Sequence, residues 1–77
     1  MAVHYFHCTN GIDMVIDAVG HDISDPLDIA SHARSVAATL VRAVPGYDEW
    51  WNWAVHVYDD IGAVEIFDFP VDWRRAA

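Results

Sequence analysis

Four side chains carry the chemistry of transition-metal ligation: His4, His7 and Cys8, close together near the N-terminus, and His56 much further along. Imidazole nitrogens and a thiolate are the donors that hold Zn²⁺ or Cu²⁺. The spacing argues against them. In extended backbone successive side chains alternate, so His4 and Cys8 share a face that His7 does not. His4, Cys8 and His56 would then be the only ligands able to converge, one short of a tetrahedral set. The expectation is therefore no metal and no cofactor, with Cys8 acting as a small buried hydrophobe. His7 and His56 read as polar or interface positions. No nucleophile or orienting partner accompanies either as a general base, so no catalytic residue is assigned, and a small enzyme working at a dimer cleft with one of them as base is only an alternative.

Asp13, Asp17, Asp22, Asp25 and Asp28 form an acidic run that invites Ca²⁺. It lacks the alternating ligands, central glycine and terminal glutamate of an EF-hand loop, so solvated charge and helix capping account for it. Trp50, Trp51 and Trp53 are the stronger functional signal. Tryptophan concentrates at interaction hot spots, and three within four residues cannot all enter one small core. Together with Tyr58 and Trp73 they make the expected interaction surface.

The elements that must position these residues follow from turn chemistry and periodicity. Val3 to Cys8 reads as a strand, Thr9-Asn10-Gly11 as a tight turn, and Ile12 to Val19 as the returning strand. Asp25 then offers an N-cap, Pro26 suits the first helical position, and Asp28 places negative charge in the first turn. Ile29, Ala33, Val36, Leu40 and Val44 recur at helical spacing, widened by Ala30, Ala37 and Val41. His32, Arg34, Ser35 and Arg42 fall towards the solvated side. Pro45-Gly46 stops the helix. Trp51 to Tyr58 and Ala63 to Phe69 read as a second hairpin around Asp59-Asp60-Ile61-Gly62, with Trp51, Trp53, Val55 and Val57 on one face and Asn52, Ala54, His56 and Tyr58 on the other. The expected fold is α+β, ββαββ: a four-stranded antiparallel sheet with one amphipathic helix on one face, forming a single domain over residues 1–70, with 71–77 as a C-terminal tail.

These elements resemble a family of short bacterial proteins classed as a domain of unknown function. The resemblance rests on Tyr5-Phe6-His7 leading to Asn10-Gly11, on Asp17, Gly20 and Asp25 ahead of an alanine-rich helix, and on Trp53-x-Val55 leading to Asp59-x-x-Gly62 and Phe69. It departs at Trp50-Trp51, at Cys8 and beyond Asp72. The resemblance implies the fold and supplies no catalytic residues.

Composition narrows the partners. The 77 residues carry a net charge of −8 and four arginines as the only fixed cations, so a phosphate backbone or an anionic lipid surface is disfavoured. No nucleic-acid or membrane partner is expected. No apolar run approaches a bilayer span of about 20 residues, and the N-terminus lacks a secretory pattern, so a cytoplasmic protein is expected. A chain this short hides only about 60% of its unfolded surface. With one cysteine it has no disulfide to compensate, and 55% of its residues are hydrophobic. The helix leaves one sheet face uncovered. The expectation is a homodimer, or docking on a larger protein partner, through that aromatic face, with a metal-sensing domain as a further alternative.

Overall fold

A computed structural model describes residues 2–69. The chain runs β1 (Val3–Thr9), β2 (Met14–Val15), β3 (His21–Asp22), α1 (Leu27–Ala43), a 3-10 turn at Trp50–Asn52, β4 (Ala54–Tyr58) and β5 (Ala63–Asp68). One helix covers an antiparallel sheet ordered β2-β1-β4-β5, so the α+β class holds. β3 also pairs with β1, which makes five strands where the sequence predicts four.

The difference lies in the returning strand. The expected continuous segment from Ile12 to Val19 pairs with β1 only at Met14 and Val15, opposite Thr9 and Cys8, and pairing resumes at His21 and Asp22 opposite His4 and Val3. Between the two short strands the chain leaves the ladder. The gap would strand the Phe6 N–H, which instead donates to Asp17 Oδ2 at 3.1 Å. Oδ1 of the same carboxylate accepts from the N–H groups of Val19 and Gly20, closing the loop on itself.

β1 and β4 form the centre of the sheet, with Phe6 opposite Val57 and Cys8 opposite Val55. These four side chains are fully buried and face α1, which contributes Ile29, Ala33 and Ala37 to the same core. Alanines at the contact let the helix axis lie close to the strands. The helix starts one residue later than predicted: Pro26, with helical dihedrals, takes the N-cap position without a side-chain cap bond, and Asp25 just ahead of it accepts from Leu27 N–H at Oδ1, 3.0 Å away. Val44 at the other end of the predicted stripe lies beyond the helix and is exposed.

The tryptophans correct the predicted third strand. Trp50 and Trp51 sit in the 3-10 turn ahead of β4, so the alternation begins only at Trp53. Trp50 and Trp53 are buried, and their rings lie 5.1 Å apart, with Tyr47 and Phe69 packed around them. Trp53 Nε1–H donates to the Tyr47 hydroxyl at 3.0 Å, satisfying one indole inside this cluster. The turn before β5 is as predicted, with Asp59 Oδ1 accepting from Ile61 and Gly62.

Gly11 and Gly20 both have positive φ, at +94° and +80°, but only Gly20 is crowded: an added Cβ would lie 2.7 Å from Val3 Cγ1 and 2.8 Å from Tyr5 Cε1. Gly11→Ala is expected to destabilise by about 1 kcal/mol through backbone strain alone, and Gly20→Ala by about 2–4 kcal/mol because overpacking is added. Chemical denaturation of the two variants side by side checks the ranking.

Candidate functional site

Two surfaces concentrate functional side chains, one on each side of the sheet. The first is a cleft of about 440 Å³ between α1 and the segment that holds β2 and the following loop. Phe6 and Cys8 of β1 form its floor, Val36 and Leu40 of α1 one wall, and Val15 and Ile16 the other. Its polar end gathers Asp17, His21 and His32.

Each member of that polar end is placed by a different element. Asp17 is fixed by its three backbone donors, and His21 by its pairing opposite His4 on β1. His21 Nε2 lies 3.8 Å from Asp17 Oδ2, a contact that becomes an ion pair only when the ring is protonated. His32 projects from the first half of α1, its ring 4.1 Å from that of His21 and 4.5 Å from that of Phe6. Its Nε2 is buried without a hydrogen-bond partner.

Charge states follow from these surroundings. Burial works to raise the pKa of Asp17, but the N–H donors of Gly20, Phe6 and Val19 outweigh it and hold the carboxyl below its ordinary range. Burial, and then neighbouring His21, lower His32 below the usual imidazole value against the opposing pull of Asp17, so the ring is neutral at pH 7. Burial, and then the Asp17 charge, push the Cys8 thiol up to about 11. The thiolate that metal binding or nucleophilic attack needs is disfavoured here.

The second surface is the sheet face that α1 leaves open. Register places Tyr5 opposite Tyr58 and His7 opposite His56, so that these four rings share the face. Tyr5 and His7 stack with centroids 6.4 Å apart, and His7 lies 5.4 Å from Tyr58. Ile66, opposite His56, extends the patch and is 58% exposed. Asp17 N–H donates to His7 Nδ1 at 3.0 Å, which leaves the His7 proton on Nε2, the outer nitrogen.

The sequence-predicted residues are thus divided. His7, His56 and Tyr58 come together on the open face. His4 and Cys8 lie buried on the helix side, across the sheet from His56, so the three metal candidates do not converge. His4 Nδ1 hydrogen-bonds the Ala2 carbonyl. Among the described residues no three His, Cys, Asp or Glu side chains are placed to hold an ion. Trp50 and Trp53 are core residues rather than interaction surface, Trp51 is exposed, and Trp73 lies outside the described residues with the rest of the tail. His32, read from its spacing as solvated, instead leans over the core. The cluster it makes with Asp17 and His21 has no local motif, because it is assembled by the break in the first hairpin.

Comparison with known proteins adds the family. The model of a family described as a domain of unknown function (DUF6894) matches residues 3–69. No curated protein and no solved structure matches the chain.

Two measurements follow from this geometry. Cys8 is expected to resist alkylation by iodoacetamide at pH 8 in the folded protein and to react at once in denaturant, as mass spectrometry would record. His32→Phe removes an orphaned buried nitrogen and is expected to raise stability by about 1–2 kcal/mol at neutral pH. The depressed His32 means that the unfolded chain takes up the proton first, so the native protein loses stability as pH falls through the imidazole range. Melting curves between pH 7 and pH 5 should show a shallower decline in His32→Phe than in the unmodified protein.

Proposed function

Since the chain belongs to the DUF6894 family, we propose that it is a non-enzymatic interaction module of the reducing cytoplasm that pairs with a second copy of itself through the open sheet face. The observation that carries this reading is the composition of that face. Twelve acidic residues are spread over the chain, yet none occupies the positions that face away from α1 on the two central strands, whose rings are Tyr5, His7, His56 and Tyr58. A charge-poor aromatic patch on so acidic a body is what an interface core requires.

A second copy is the favoured occupant because the patch is self-complementary in kind. A two-fold axis parallel to the sheet, lying between the two copies, would set one row of rings against its twin, and ring stacking needs no charge of opposite sign on the partner. The acidic rims would limit further association once the pair has formed. Such pairing also supplies the burial that a domain of this size lacks on its own.

Light scattering on the purified protein is expected to give twice the 8.7 kDa chain mass, independent of concentration over the micromolar range. Ile66→Glu, which touches no core residue's place, is expected to weaken the pair by more than about tenfold through buried charge and to leave the melting profile of the monomer intact. A stable monomer at all concentrations removes self-association and leaves the face to a different protein partner.

A further inference from the structure

We propose that the cleft between α1 and the Met14–Gly20 segment binds a small primary amine with an apolar tail, its ammonium lodged between the Asp17 carboxylate and His32 Nε2 and its tail lying along Phe6, Val36 and Leu40. The cleft is on the helix side of the sheet, so this inference stands independently of pairing through the opposite face. Its volume of about 440 Å³ falls inside the range of about 300–1,000 Å³ in which small-molecule sites occur. It also has their usual plan, apolar walls with a few convergent polar groups at one end.

The class of head group follows from the polar atoms. His32 Nε2 is buried and unpartnered, so some donor or acceptor is needed to complete it. The neutral ring accepts at Nε2 when its proton sits on Nδ1, which suits an incoming N–H. Asp17 is ionised and tied down by backbone donors, giving a fixed negative charge that needs no reorganisation to receive a cation. Among the described residues neither Arg34 nor Arg42 lines the cleft, and the chain has no lysine, so an anionic head group would meet Asp17 with no fixed cation beside it from those residues. A neutral alcohol would satisfy His32 but gain nothing from the carboxylate.

His32 also gives the proposal a signature that a structural role would not share. Trp50 Nε1 is likewise buried without a partner, but His32, unlike Trp50, lines the cleft. Replacing it with phenylalanine should therefore strengthen the fold and weaken the site, two effects of opposite sign from one substitution.

The test is a titration of the isotopically labelled full chain with 2-phenylethylamine, 2-phenylethanol and phenylacetate, followed by NMR at the His21 and His32 rings and the Val36 and Leu40 methyls. The expected result is saturable binding of the amine in the millimolar range, the alcohol at least about fivefold weaker, and phenylacetate weakest. In His32→Phe, a variant expected to fold, amine affinity should drop about tenfold. Any other rank order, the absence of saturation by the amine at the cleft, or undiminished amine binding in His32→Phe overturns the proposal.

Discussion

The carboxylate of Asp17 stands in for a missing piece of β-strand. β1 is bordered by β4 along most of its length on one side, but on the other only its ends are paired, by β2 and β3. A backbone N–H at a sheet edge that is partly buried needs a partner, and Phe6 finds it in Asp17 rather than in another backbone carbonyl. The same carboxylate accepts from Val19 and Gly20, which curls the loop tightly enough to bring Gly20 against Val3 and Tyr5. One ionised side chain thereby fixes the register on both sides of the break. It then delivers His21 to the helix side of the sheet, and the backbone N–H of Asp17 itself sets the tautomer of His7 on the other. Both candidate surfaces depend on it.

A second constraint is size. A single helix cannot cover the whole inner face of the sheet, and the uncovered end is filled by rings rather than by another element. Trp50, Trp53, Tyr47 and Phe69 form that plug, and the Phe69 N–H bond to the Trp53 carbonyl ties its two sides together. Large aromatic side chains bury much area per residue with few rotatable bonds, so a short chain can close its core with them. What looks in the sequence like a cluster reserved for a partner is mostly the domain's own interior. The rings left on the open sheet face are smaller and half-exposed.

Where local chemistry decides the outcome, the sequence was legible. Asp25 and Pro26 begin the helix and Asp59 to Gly62 turn the second hairpin because each motif completes its own hydrogen bonds within a few residues. The alternation of Val55, His56, Val57 and Tyr58 correctly separates the two faces of β4. The returning strand of the first hairpin, expected unbroken from Ile12 to Val19, carries no local signal of the break, since Ile12, Met14 and Ile16 keep a period of two up to it. What interrupts the strand is Asp17 bonding to Phe6, eleven positions earlier, a contact that no periodicity records. The environment of His32 is illegible for a related reason: helical spacing sets its angle on α1, but only the positions of β1 and β3 determine that the wall opposite it is Phe6 and His21 rather than water. The metal candidates failed on facing, since His56 lies on the far side of the sheet from His4 and Cys8.

The broken hairpin also explains why a domain this small can keep a cleft at all. Had the returning strand continued through residues 16–20, its side chains would have alternated across the sheet, and those on the inner side would have packed down against Val36 and Leu40 of α1. With the loop turned outward, Ile16 forms a wall instead of a filling, and the space beside Phe6 and Cys8 stays open. Open apolar space and an unpartnered imidazole nitrogen both weaken a fold. Here both arise from the same five-residue departure, and the carboxylate that stabilises the departure lines the resulting cleft. A chain under pressure for stability alone would more simply complete the strand and place an aliphatic residue at position 32. The coincidence of the break, the cavity and the charge at one place is the physical case for treating that place as a site.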